Sequence, residues 1–129
     1  MTITDLKDEV MNGPKPAQPK RQLRIAIDFD GTIHCPNNRL EGYKMGQPIQ
    51  GAAEAIRQLR LQGHHIIIFP TWADTEKKRQ AMVDWLTYFG VQFDDITSTK
   101  PEADLYIDNN GYRFDGNWEH AQSFIRTLQ

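Results

Sequence analysis

Apolar and polar positions follow two different periods along the chain from residue 23 onward. Runs of branched apolar residues predict buried strands, whereas apolar residues three or four positions apart predict amphipathic helices. Several of these segments end at a glycine or a proline, namely Gly31, Gly63, Pro70 and Gly90. The predicted elements are strands over 23–30, 64–70, 91–96, 104–108 and 112–114, and helices over 51–61, 75–89 and 118–128.

The order of these elements indicates an α/β domain. Strands that alternate with helices form a mostly parallel sheet with helices on both faces, which gives a Rossmann-like three-layer sandwich. Trp85 and Trp118 fall on the apolar faces of two predicted helices, and both are expected in the core. Because ligands of such sheets bind beyond the carboxyl ends of the strands, polar residues directly after each strand are the candidates for chemistry.

The first 22 residues differ from the rest and predict a flexible N-terminal arm ahead of one domain over residues 23–129. Pro14, Pro16 and Pro19 each remove a backbone donor and restrict the preceding residue, so residues 12–21 cannot hold a helix. A terminus without function is the favoured interpretation, and an arm that binds a partner is the alternative.

Composition and charge exclude several classes of protein. The chain has 129 residues, 39% of them apolar, and a formal net charge of −2. These values are typical of one soluble globular domain and give no indication of nucleic-acid binding. No secretory signal and no apolar run long enough to cross a membrane is visible, so no membrane partner is expected. The single Cys35 excludes an internal disulfide and a four-cysteine zinc site, and we expect a cytoplasmic location.

A mixed histidine and cysteine zinc site is a weaker alternative. His34 and Cys35 fall in a predicted loop, whereas His64 and His65 begin a strand at its opposite end. The ligand spacing of zinc sites is also missing, so this alternative is not favoured.

The sharpest motif is Asp28-Phe29-Asp30-Gly31-Thr32, which includes the end of the first predicted strand. Two carboxylates two positions apart on an extended chain point the same way and repel each other unless a cation lies between them. A hard divalent ion with oxygen ligands removes this repulsion. Gly31 allows a sharp turn, and the backbone amides after it can point at an anion. The motif therefore favours a phosphate ester held by a magnesium ion.

This motif resembles the first motif of the haloacid dehalogenase-like (HAD) phosphatases. Three further positions resemble the later motifs of that family in the same order: Thr71 after the second strand, Lys100 before the fourth, and Asp108 at its end. The resemblance extends over residues 23–128. It implies the Rossmann-like, HAD-like catalytic domain of that family, here of the small type without a large cap domain.

The resemblance also implies an activity, the magnesium-dependent hydrolysis of a phosphomonoester through an aspartyl-phosphate intermediate. Asp28 would be the nucleophile, and Asp30 would protonate the leaving group and then activate the hydrolytic water. Magnesium would be held by Asp28 and Asp108 together with the backbone carbonyl of Asp30. Thr71 and Lys100 would bind the transferring phosphoryl oxygens of the phosphorylated substrate.

Either Asp104 or Asp108 could be the acid of the fourth motif, and the geometry of the sheet decides between them. Asp104 lies at the start of the predicted strand and Asp108 at its end, roughly 13 Å apart along an extended chain. Only the carboxyl end faces the crevice that contains Asp28. Asp108 is therefore the predicted magnesium ligand, and Asp104 is predicted to be structural.

The chain departs from the family pattern at two places. The second motif often carries an arginine where this chain has Ala73, which leaves the site one cation short unless Lys77 or Arg79 substitutes. The fourth motif often pairs two acids, whereas Asn109 follows Asp108 here. Neither change removes the nucleophile, so an active enzyme is still favoured.

The segment between the first motif and the first helix, residues 33–50, is too short for a cap domain. It has room for a hairpin flap around Asn37 and Asn38. The site is therefore either open to a large substrate or closed by a neighbouring subunit of a homo-oligomer. Two rival functions stay open: a non-catalytic module that binds a phosphorylated ligand or protein partner, and a phosphotransferase that passes the group to an alcohol.

Overall fold

A computed structural model describes residues 21–39, 45–70 and 72–129 of the chain. These residues form six strands and three helices. In chain order they are β1 (Arg24–Ile27), β2 (His34–Arg39), β3 (Gly46–Pro48), α1 (Ala52–Leu61), β4 (His65–Ile68), α2 (Glu76–Tyr88), β5 (Asp95–Ile96), β6 (Leu105–Ile107) and α3 (Trp118–Thr127).

Four of the strands form one parallel sheet in the order β5-β4-β1-β6. The predicted α/β fold with a mostly parallel sheet is therefore confirmed. On the inner strand β1, Ile25 and Ile27 face one side and Ala26 faces the other, since side chains alternate along a strand. All three are at most 3% exposed, so both faces of the sheet are covered at this strand.

Helix α2 supplies one wall of the core. It begins at the N-cap Thr75, whose side chain accepts a 3.2 Å hydrogen bond from the Lys78 N–H. Met82, Trp85 and Leu86 are buried along one stripe and pack in the same cluster as the β1 and β4 side chains. The predicted apolar stripe and the core position of Trp85 are therefore confirmed.

Strands β2 and β3 form a separate antiparallel hairpin between β1 and α1. The predicted hairpin is confirmed, but its position is corrected. Strand β2 runs to Arg39, so Asn37 and Asn38 lie within a strand rather than at the turn. The residues that connect the two strands, 40–44, lie outside the described part of the chain.

Most of the large exposed apolar side chains among the described residues lie from β6 onward in the chain. The three residues of β6 are 36–39% exposed. Helix α3 buries only Ala121, and its Trp118 is 70% exposed. The prediction that Trp118 is a core residue is therefore wrong, because the pattern identifies the apolar face of a helix but not what covers that face.

The predicted strand over residues 112–114 is also wrong. These residues have no strand partner in the described structure, and their rings pack on α3 instead. Tyr112 lies 5.0 Å from Phe124 and Phe114 lies 4.9 Å from Trp118, measured between ring centroids. Ring packing against a helix thus replaces the predicted backbone pairing.

Most of the predicted N-terminal arm, residues 1–20, lies outside the described part of the chain. Arg21 is described, and its guanidinium forms a 2.6 Å ion pair with Asp104. Among the described residues, Arg21 thus takes part in the contacts of the domain. Within residues 21–39, 45–70 and 72–129, no helix is both long and apolar enough to cross a membrane.

Candidate active site

Asp28 and Asp108 follow neighbouring strands at the carboxyl edge of the sheet. Strands β1 and β6 run parallel with Ile27 opposite Ile107, and the residue after each strand is one of the two aspartates. The Asp28 N–H donates a 2.9 Å hydrogen bond to the Ile107 carbonyl. The two strand ends are therefore joined, and the acids of the first and fourth predicted motifs meet at one edge.

The Asp28 carboxyl group has an unfavourable environment for a negative charge. Burial raises its pKa above the usual value, and the negative charges of Asp108 and Asp30 raise it further. A hydrogen bond from the Phe29 N–H opposes this effect in part. Three acids of the predicted site are thus close enough to influence one another, with excess negative charge at Asp28.

The Asp30 side chain is held by two donors from other elements. His34 Nδ1 lies 2.7 Å from one carboxylate oxygen, and the Trp72 indole N–H donates a 3.0 Å hydrogen bond to the other. The side chain is still 45% exposed, so it remains accessible from solvent. The sequence offered no signal for these contacts, since neither His34 nor Trp72 matches a family motif.

The ring of Phe29, between the two aspartates, is fully buried in an aromatic cluster. His34 stacks on it at 4.9 Å between centroids, and Trp72 and Trp85 meet it edge-on at 5.9 Å and 5.0 Å. Helix α2, the hairpin and the loop after β4 therefore all pack against the first motif. Because the Phe29 ring is anchored in the core, the carboxylates of Asp28 and Asp30 on either side of it lie at the surface of the core.

Gly31 makes the sharp turn that the sequence predicts, with φ of 83°. The backbone amides after it, however, do not point at an anion as predicted. The N–H groups of Thr32, Ile33 and His34 all point to the Phe29 carbonyl at 2.9–3.2 Å. The prediction that these amides bind an anion is therefore wrong, because the turn uses them internally.

Asp108 also shapes its own loop. One of its carboxylate oxygens accepts hydrogen bonds from the Asn110 N–H at 2.6 Å and the Gly111 N–H at 3.3 Å. This is a side-chain turn of the kind that Asp often forms after a strand. The second oxygen forms no hydrogen bond with the described residues, so it is available to a ligand.

A cavity of about 410 Å³ runs along the β6 edge, from Asp104 before the strand to Asp108 after it. Two cations, Lys100 and Arg113, line it together with aromatic side chains. Lys100 Nζ lies 4.5 Å from the centre of the Tyr106 ring. The ion pairs among the described residues involve neither Lys100 nor Arg113, so both can meet an anionic ligand.

The predicted phosphate-binding residues have different outcomes. Thr71 lies outside the described residues. Lys100 borders the same cavity as Asp108. Arg79, a suggested substitute for the missing arginine, donates a 2.7 Å hydrogen bond to the Ile96 carbonyl and serves the fold. Arg113 is the cation that the sequence did not single out.

Residues predicted to lie at the opposite end of the sheet are found there. Asp104, just before β6, accepts hydrogen bonds from Arg21 and from the Arg24 N–H. His64, just before β4, accepts a 3.1 Å hydrogen bond from the Leu23 N–H. His34 lies at the other end of the sheet, so a zinc site that joins His34 and His64 does not fit this geometry.

The described residues contain no group of three His, Cys, Asp or Glu side chains that is arranged to hold a metal ion. The Asp30 side chain turns to His34 and Trp72 instead of joining the other two acids. The predicted set needs only two carboxylates, from Asp28 and Asp108, and the Asp30 carbonyl. Magnesium commonly binds one or two carboxylates and retains waters, and the excess negative charge at Asp28 suits it. The donor atoms of this set are therefore of the kind that magnesium binds.

Comparisons with known proteins support the fold alone. No protein-family model matches the chain, and no curated protein matches it. Among solved structures, a conserved protein coded by a locus of Bacteroides thetaiotaomicron is similar, with a TM-score of 0.56 and 22% sequence identity. The similarity covers 84% of this chain and 93% of the other. At this identity the likeness concerns the α/β architecture and not the chemistry.

Proposed function

We propose that this chain is a magnesium-dependent phosphomonoester hydrolase of the haloacid dehalogenase-like class. The observation that carries the proposal is the meeting of Asp28 and Asp108 at the carboxyl edge of a parallel sheet, with Asp30 two residues further along the same segment. Asp28 is partly buried there, and the other two acids raise its pKa. Such a perturbed acid among other acids at a ligand-binding edge is a candidate for catalysis.

In the proposed reaction, the Asp28 carboxylate attacks phosphorus while the bond from phosphorus to the leaving oxygen breaks. Asp30 gives its proton to that oxygen, which leaves as an alcohol. Asp30 then accepts a proton from the water that attacks the aspartyl-phosphate. Inorganic phosphate departs and the Asp28 carboxylate is restored. Asp28, Asp108 and the Asp30 carbonyl would hold a magnesium ion, which would supply positive charge to the phosphoryl group.

Binding of the transferring group rests on cations around the site. Lys100 and Thr71 are proposed to bind phosphoryl oxygens, as the resemblance implies. We add Arg113 to them, because it lines the same cavity as Lys100 and Asp108. It would supply the positive charge that Ala73 does not.

The hairpin β2–β3 stands where a larger family member would carry a cap, so we propose a site open to a large phosphorylated substrate. Closure by a second copy of the chain is the alternative. A cytoplasmic location remains part of the same proposal, because a single cysteine suits a reducing compartment.

The rival of another class is a non-catalytic module that binds a phosphorylated ligand. Ala73 and Asn109, which depart from the family motifs, favour it. Phosphate release from p-nitrophenyl phosphate, with and without magnesium, separates the two. Magnesium-dependent release that disappears in Asp28→Asn supports the enzyme. Binding of phosphate esters without any release would support the module. Transfer to an added alcohol in place of water would indicate a phosphotransferase.

A further inference from the structure

Asp30 is the proposed proton donor and acceptor, and its orientation depends on two side chains outside the family motifs. His34 and Trp72 each hold a different oxygen of its carboxylate, at 2.7 Å and 3.0 Å. We propose that His34 and Trp72 are positioning residues that fix the Asp30 carboxyl group for proton transfer. This inference rests on the proposed function, and it assigns roles to two residues that touch neither the nucleophile nor the cavity.

The hydrogen bonds of His34 determine which of its ring nitrogens carries the proton. Its Nε2 lies 2.7 Å from the Gly46 N–H, which can only donate, so Nε2 is the acceptor. In the neutral ring Nδ1 then carries the hydrogen and donates it to Asp30. His34 is 5% exposed and stacked on Phe29, so the ring is held in this orientation.

Trp72 approaches the same carboxylate from a different element. It lies just after β4, and its indole N–H reaches the Asp30 oxygen that His34 does not hold. Its ring meets Phe29 edge-on. Two donors on two oxygens prevent rotation of the carboxyl group about its terminal bond. Each oxygen still has a second lone pair, so Asp30 can take up or release a proton while both hydrogen bonds persist.

The chain offers a matched control for Trp72. Trp85 also meets Phe29 edge-on, and it donates its indole N–H, at 2.9 Å, to the Gly46 carbonyl rather than to Asp30. Trp72→Phe and Trp85→Phe therefore each remove one indole hydrogen bond beside Phe29. Only Trp72→Phe removes a donor to Asp30.

The decisive readout is the dependence of kcat/KM on the leaving group, with magnesium present. Glycerol phosphate releases a strongly basic alkoxide and needs a proton from Asp30, whereas p-nitrophenyl phosphate releases a stable anion and needs little help. We expect Trp72→Phe to lower kcat/KM for glycerol phosphate about tenfold or more, a part of the roughly 10²–10⁴-fold that acid–base catalysis contributes. The value for p-nitrophenyl phosphate should change less than about threefold. Trp85→Phe should change the ratio of the two values less than Trp72→Phe does, because Trp85 reaches Asp30 only indirectly, through Gly46 and His34.

The role of His34 is tested by two replacements that both lose the contact to Gly46. His34→Asn places an amide donor near the position of Nδ1, whereas His34→Leu offers none. We expect the asparagine variant to keep more of the activity toward glycerol phosphate than the leucine variant. Equal losses on both substrates in both variants would mean that His34 supports only the fold.

A measurement without turnover checks the contact itself. The chain has three tryptophans, so heteronuclear NMR shows three indole N–H signals, assigned by the single Trp→Phe variants. Asp30→Ala should shift the Trp72 signal and leave the Trp118 signal in place. An unmoved Trp72 signal overturns the contact and with it the inference.

The kinetic outcomes separate the two proposals. If the wild type hydrolyses both substrates and Trp72→Phe behaves like Trp85→Phe, the positioning role is wrong while the proposed function stands. If the wild type releases phosphate from neither substrate, the proposed function is wrong, and Asp30 has no proton transfer for which it could be positioned.

Discussion

The side-chain amide of Asn109 packs directly against the α-carbon of Gly31. A β-carbon built on Gly31 would overlap the amide nitrogen and lie 2.9 Å from the Asn109 Cγ. The loop after β6 thus rests on the turn of the first motif. Asn109, which replaces the second acid of the family pattern, serves here as a close packing partner of that turn.

Gly31→Ala should therefore destabilise the protein for two reasons, strain at φ of 83° and overlap with Asn109. Gly90→Ala is the matched control, because Gly90 has φ of 70° and open space around it. We expect strain of roughly 1–2 kcal/mol in both variants and at least about 1 kcal/mol more in Gly31→Ala. Urea unfolding measures both values. Equal losses would contradict the contact, and Asn109→Gly should recover only the additional loss in Gly31→Ala.

Asp28→Asn should abolish turnover and yet stabilise the fold. The raised pKa means that ionisation of Asp28 disfavours the folded state. That penalty is absent below the unfolded pKa of about 4 and fully present above the raised folded pKa. The melting temperature of Asp28→Asn should therefore exceed that of the wild type at neutral pH, and the difference should vanish as the pH falls below 4. Near-normal turnover in this variant would refute the mechanism.

Asp108 and Asp104 should differ sharply in a substitution test. Asp108→Asn keeps the oxygen that accepts the Asn110 N–H but removes the charge, so magnesium-dependent turnover should be lost while the loop persists. Asp104→Ala should retain most of the turnover with a lower melting temperature, since Asp104 binds Arg21 and the Arg24 N–H. Magnesium titration by calorimetry checks the assignment. The reverse pattern would mean that Asp104 rather than Asp108 holds the magnesium ion.

Arg113→Ala should raise KM for a phosphate ester more than it lowers kcat, because Arg113 lines the cavity beside Asp108. We expect an increase of about tenfold, as a charge-assisted hydrogen bond contributes roughly 1.5–3 kcal/mol. Arg57→Ala is the control, since Arg57 pairs with Glu54 on α1. Unchanged KM in Arg113→Ala would remove Arg113 from the substrate site.

Deletion of residues 1–20 should leave the melting temperature and the turnover nearly unchanged, because this proline-containing segment is predicted to be a flexible arm. The deletion spares Arg21 and its ion pair with Asp104. Differential scanning calorimetry and phosphate release compare the two chains. A fall in melting temperature of more than a few degrees would show that the arm packs on the domain, and the exposed apolar face of α3 is where a contact should then be sought.

The sequence predicts the meeting of Asp28 and Asp108 because one rule suffices. Parallel strands end at the same edge, so two residues that follow neighbouring strands lie close together. The apolar run and the turn residues mark each strand end. The sequence did not predict the order of the strands in the sheet. The structure supplies it, because β6 pairs directly with β1.

The surroundings of Asp30 could not be predicted in this way. Trp72 is 42 residues from Asp30 in the chain, and its hydrogen bond depends on side-chain rotamers rather than on any period. The prediction that the amides after Gly31 bind an anion was wrong for a similar reason. Several types of turn fit one glycine, and the sequence does not show whether the turn uses these amides internally. The predicted core position of Trp118 was wrong because amphipathic spacing gives the direction of the apolar face of a helix but does not show what packs against that face.

The pairing of β1 with β6 also sets the order of events during synthesis. The Arg24 N–H and its partner Asp104 are 80 residues apart, and Asp108 comes later still. While a ribosome extends the chain, Asp28 is made 80 residues before Asp108, the third acid. Contacts of such long sequence separation form slowly and late. The nascent chain therefore carries its first motif long before the site can be assembled, and a prematurely terminated product would keep the motif without the site.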